Sequence, residues 1–105
     1  MPDRQAVSAK CRYVRRWIST LRSELYAAVS MERLLELLNG YLEDVGEDGV
    51  EAPLTRDDVA ACLKDAKIVT KGGREVVLLW GPDDLIGKVV EAAAENGEAV
   101  IATWL

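Results

Sequence analysis

The chain has no histidine, only two cysteines and no long apolar run. Without histidine, neither a Ser-His nor a Cys-His nucleophile pair is available. A zinc site of the Cys/His type would need ligands from outside the chain. No stretch reaches the roughly 18 apolar residues that a membrane-spanning helix requires. The opening MPDRQAVSAK carries no apolar core of the kind that marks a secretory leader, so a cytoplasmic chain without membrane contact is expected. Cys11 and Cys62 each fall on an apolar helical stripe. Buried free thiols are the expected state, with a disulfide as the alternative that spacing alone leaves open.

What the chain does have is segregated charge. The net charge of −5 combines two unlike parts. Residues 1–23 hold Arg4, Lys10, Arg12, Arg15, Arg16 and Arg22 against Asp3 alone, whereas acidic residues outnumber basic ones in the remainder. Such asymmetry speaks to partners rather than to fold. The positive end suits either phosphates or the acidic body of a second copy.

The stretch around which the rest is arranged runs from Leu54 to Trp80. Thr55 is an N-cap candidate, and Asp57 and Asp58 suit the positive first turn of a helix. Val59, Leu63 and Ala66 recur at helical spacing. Ile68-Val69-Thr70 favours an extended chain. Lys71-Gly72-Gly73-Arg74 then signals a tight hairpin, with Glu75 to Trp80 as its second strand.

This helix, strand, glycine-bearing basic turn and strand resembles the recognition helix and wing of winged helix-turn-helix proteins over residues 54–80. The resemblance implies a helix in the major groove and a wing on the DNA backbone or minor groove. It points to Arg56, Ala60, Ala61 and Lys64 on the helix and to Lys71 and Arg74 on the wing.

Upstream, Val7, Cys11, Val14, Ile18, Leu21, Leu25 and Ala28 alternate four and three residues apart, which predicts a helix from about Ala6. The opposite face carries Arg12, Arg15, Arg16 and Arg22. The apolar stripe could pack on the domain's own core or form a homodimer seam. The basic face could track phosphates, with Tyr13 or Trp17 available for stacking.

Ser30 is a cap candidate for a second helix whose apolar face is Met31, Leu34, Leu35, Leu38, Tyr41, Leu42 and Val45. Two antiparallel helices are favoured over one bent helix, because the stripe shifts phase between Ala28 and Met31. The acidic segment from Glu43 to Glu51 reads as a loop, without the ligand spacing of a calcium site. Gly81-Pro82-Asp83-Asp84 opens a helix that stops at Asn96-Gly97, and Glu98 to Leu105 is the last strand.

The expected fold is therefore α+β. It has two N-terminal helices, a third short helix, a wing-like hairpin and a C-terminal βαβ unit, making a small three-stranded mixed sheet. Residues 1–105 form one domain, frayed over 1–5, helical over 6–45 and α/β over 54–105. Strands apolar on both sides should be covered on both sides, by the N-terminal helices and the C-terminal helix or, failing those, by a second subunit.

The expected function is a small non-enzymatic, nucleic-acid-associated regulator. It would contact phosphates through Arg12, Arg15, Arg16, Arg22, Lys64, Lys71 and Arg74. DNA and a second copy of the chain (a homodimer) are the expected partners, with no cofactor, no metal and no small-molecule substrate. The alternative is a protein-interaction or assembly module that does not bind nucleic acid. A third reading gathers Asp57, Asp58, Asp83 and Asp84 around a hard metal ion.

Overall fold

The computed structural model describes residues 2–63, 66–80 and 83–100. Helix α1 (Pro2–Ser23) is followed by strand β1 (Tyr26–Ser30), α2 (Met31–Asp44), α3 (Arg56–Cys62), β2 (Lys67–Lys71), β3 (Arg74–Leu78), α4 (Ile86–Asn96) and β4 (Glu98–Val100). A single 3₁₀ turn, Asp83–Leu85, leads into α4. The α+β class is as expected; the sheet is not. It has four strands in the order β2-β3-β1-β4, and every neighbouring pair is antiparallel.

The difference arises at β1. The stripe of α1 continues in register through Leu25 and Ala28, so these residues read as helix. Leu25 instead takes a positive φ of 68° and turns the chain into a strand. Its neighbours then pair on both sides, Ala28 with Leu78 and with Ala99. Two rows of backbone hydrogen bonds outweigh the local helical preference of the alanines. Residues 6–45 are thus two helices separated by the central strand, and α1 begins at Pro2 rather than Ala6.

Because β1 lies between them, β3 and β4 run in the same direction without touching. The expected βαβ unit is split, and the mixed sheet becomes an antiparallel one. The part of the last strand beyond Val100, and the Gly81-Pro82 helix start, lie outside the described residues.

Leu25 is a leucine in left-handed backbone with its side chain exposed. That conformation costs an L-residue roughly 1–2 kcal/mol, of which the added freedom of an unfolded glycine returns part. Leu25→Gly is therefore expected to raise stability by up to about 1 kcal/mol in urea denaturation. A loss of stability would mean that the leucine side chain is held by contacts that outweigh its strain.

Both faces of the sheet are covered within one chain. Val29, Val77 and Leu79 meet the buried sides of α1, α2 and α3; Ala28, Val76 and Leu78 meet Val89, Val90, Ala93 and Ala94 of α4. The α1 stripe of Cys11, Val14, Ile18 and Leu21 is buried in the first of these cores. It is not available as a dimer seam, and coverage of the sheet no longer calls for a second subunit.

Local signals read from the sequence hold at several element ends. Ser30 caps α2 by accepting from Arg33 N, and Thr55 and Asp58 form a reciprocal capping box on α3. Gly72 and Gly73 both have positive φ, which suits the tight β2–β3 turn. Gly97 ends α4 in left-handed conformation.

Candidate functional site

Four of the candidate cations lie on α1, and the contacts of Arg15, Arg16 and Arg22 are within their own chain. Arg15 Nε donates to the carbonyl of Cys62 at 3.1 Å, satisfying the last residue of α3, where carbonyls lack helical partners. Arg22 Nε donates to the Leu79 carbonyl at 3.2 Å, just past the end of β3. Arg16 pairs with Glu47 at 2.6 Å and lies over the Tyr13 ring, 5.9 Å from its centre. Arg12 is exposed on the same helix. Nearby, Lys10 pairs with Asp58 of α3 at 3.0 Å. Backbone hydrogen bonding at Thr55, with the Lys10 ammonium second, holds the Asp58 carboxyl below its ordinary value.

The wing residues lie elsewhere. Strand alternation puts Lys71 and Arg74 on the face that α4 covers. There they border a hollow of about 390 Å³ together with Glu91 and Glu95. Arg74 Nη1 donates to the Ala94 carbonyl at 2.7 Å, again at a helix end. The α1 cations and the wing cations thus sit on opposite sides of the sheet and do not form one surface. Lys64 lies outside the described residues.

α3 is followed in the chain by the β2–β3 hairpin. Arg56 is forked onto Glu75 of β3 at 2.6 and 2.9 Å, and its guanidinium is held further above its ordinary value by that pair and by Asp57. The same contact lowers the Glu75 carboxyl. Ala61 faces a cleft between α1, α3 and the acidic loop.

Cys11 and Cys62 are joined as a disulfide between α1 and α3, which corrects the expectation of free thiols. The two stripes that carry them face one another across the helix pair, a contact that spacing within either helix could not reveal. Asp57 and Asp58 on α3, and Asp83 and Asp84 before α4, lie over opposite faces of the sheet. Among the described residues no three metal-ligating side chains come together, so the arrangement that would gather a hard ion is absent there. No helix among them is long and apolar enough to cross a membrane.

Tyr13 is not available for stacking on a ligand. It is 1 % exposed, and its hydroxyl donates to the Leu38 carbonyl at 2.6 Å. Trp17 is half-buried and meets Tyr41 edge-on, with ring centres 5.8 Å apart. Tyr41 is exposed, and Val45, one turn further along, is 71 % exposed. Trp17, Tyr41 and Val45 therefore make an apolar spot beside the Arg16–Glu47 pair, the layout of an interface centre with a polar rim. Tyr41 and Val45, expected on the apolar face of the second helix, are exposed instead, because the apolar positions of α2 overfill one stripe. The role of Asn39 was also hidden in sequence: its side chain clamps the backbone of Leu54 through two hydrogen bonds and fixes the start of α3.

No protein-family model, no curated protein and no solved structure matches this chain.

Proposed function

We propose that the protein is a non-enzymatic interaction module that works by protein–protein contact, with a second copy of the chain as partner and the Trp17–Tyr41–Val45 spot at the centre of the contact. The observation that carries this reading is where the cations go. Arg15, Arg22 and Arg74 serve carbonyl groups at the ends of elements, and Arg16 serves Glu47. Phosphates would have to compete with these contacts, and the α1 and wing cations face different directions. The exposed aromatic spot has no such internal employment for its outer surface. A cytoplasmic setting is proposed with it.

The competing proposal keeps the winged-helix reading and DNA as ligand. Two measurements on one preparation decide between them. Sedimentation velocity over a wide concentration range is expected to show a monomer–dimer equilibrium. A Trp17→Ser, Tyr41→Ser variant with unchanged circular dichroism should shift it to monomer. Fluorescence anisotropy with labelled duplex DNA at low and moderate salt is expected to stay flat. Binding with a log–log salt slope of about −0.9 per phosphate contact, lost in Arg15→Glu, Arg16→Glu, would establish the DNA reading instead. A monomer at every concentration would overturn the self-association reading.

A further inference from the structure

The Cys11–Cys62 disulfide is buried at the edge of the first core, where both cysteines form part of the wall of a surface cleft. The cleft has a volume of about 770 Å³, and both cysteines line it together with Lys10, Asp58, Glu51 and Pro53. Cys11 is the more reachable partner at 6 % exposure, against 1 % for Cys62. Cations flank both. Lys10 adjoins Cys11 in the chain, and the Arg15 guanidinium is bonded to the carbonyl of Cys62 itself. A cation taken alone favours thiolate over thiol. The carboxylates of Asp58, already paired with Lys10, and of Glu51 are the opposing charges in the cleft.

We infer that Cys11–Cys62 is a reversible thiol–disulfide exchange site, open to a dithiol reductant through this cleft, and that its redox state decides whether α3 is locked onto α1. The thiolate of the reductant attacks Cys11 Sγ. The Cys11–Cys62 bond breaks, and its electron pair leaves on Cys62 as a thiolate. The reductant's second thiolate then attacks its own sulfur in the mixed disulfide, closing the reductant as a disulfide and releasing Cys11 as a thiolate. Two electrons pass from the dithiol to the protein, and two protons complete the cysteine thiols.

The consequence for α3 follows from its length. A seven-residue helix is too short to persist unaided and depends on its attachments. Apart from the disulfide, these include the Val59 and Leu54 contacts, the Asn39 clamp at its start, the Lys10–Asp58 and Arg56–Glu75 pairs and the Arg15 bond to Cys62. The ion pairs are partly exposed and individually weak. Without the covalent link, α3 opens locally while the sheet stays closed. In a reducing compartment, where structural disulfides are rare, the bond is then a state of the protein and not a fixture.

The test is hydrogen exchange with mass spectrometry on the full chain, equilibrated in dithiothreitol or in oxidised glutathione. Thiol occupancy is read by alkylation. Reduction is expected to speed exchange of the amides of 56–62 by at least about tenfold more than it speeds exchange in β1 and β3, whose protection falls only with the global stability. Returning the sample to oxidised glutathione should restore the slow exchange. A Cys11→Ala, Cys62→Ala variant should exchange like the reduced chain; should it not fold, the reduced natural chain decides the matter alone. Unchanged protection of 56–62 after complete reduction would overturn the inference. So would acceleration in the sheet equal to that in 56–62, and so would a bond that the dithiol reduces only under denaturing conditions.

Discussion

Removing the disulfide by Cys11→Ala, Cys62→Ala is expected to lower the free energy of unfolding by about 4 kcal/mol. The two cysteines are 51 positions apart, and the link denies the unfolded chain all conformations in which the ends of that loop are separated. Released, the unfolded ensemble gains that entropy. For a domain of this size the corresponding fall in Tm is about 15 °C or more. The urea m-value should rise slightly as the unfolded chain expands, while the native far-ultraviolet spectrum at room temperature should be kept. A loss below about 1 kcal/mol would mean that the unfolded chain is already confined by other means.

The second large effect centres on Tyr13. Its ring fills the core between α1 and α2, so Tyr13→Ala should cost about 3–5 kcal/mol, from lost burial plus the cavity left behind. Tyr13→Phe keeps the ring and loses only the hydroxyl bond to Leu38, about 1 kcal/mol. The contrast between the two variants separates packing from hydrogen bonding. It has a pH signature as well. Burial raises the Tyr13 phenol above its ordinary 10.0, because ionisation would place a charge in the core. The folded chain therefore favours the neutral form. This contribution is fully present below pH 10 and is lost as the pH climbs through the raised value. Tyr26 is raised too, by burial first and then by Glu98. Urea midpoints should fall as pH rises above about 10, and the fall should be shallower in Tyr13→Phe. Equal slopes in the two proteins would assign the alkaline loss to Tyr26.

The helices and hairpin were legible because each carries its own punctuation. Thr55 with Asp58, Ser30, the Gly72-Gly73 pair and Asn96-Gly97 act within a few residues, so their consequences appear in sequence. The two-sided covering of the sheet was legible as well, since Val76 to Leu79 are apolar without alternation. β1 was not. Its alanines fit a helix as well as a strand, and the reason for its conformation lies in partners from the far end of the chain. The site divides along the same line. The basic character of α1 is plain in the sequence, but whether a guanidinium faces solvent or the carbonyl of Cys62 depends on where a distant helix ends. The pairing of Cys11 with Cys62 is hidden for the same reason.

The position of β1 also bears on how the protein is made. Strand β1, inside the sheet, is synthesised well before both of its partners, β3 and β4. The ribosome must therefore release the chain through β4 before the sheet can close. Until then the emerging N-terminal part has two amphipathic helices, an unpaired Tyr26–Ser30 segment and no partner strand to offer it. Neither half of the molecule can be expressed as a self-sufficient unit, and closure over such long sequence separations is a slow class of folding event. During synthesis, the exposed segment is where a chaperone would be needed.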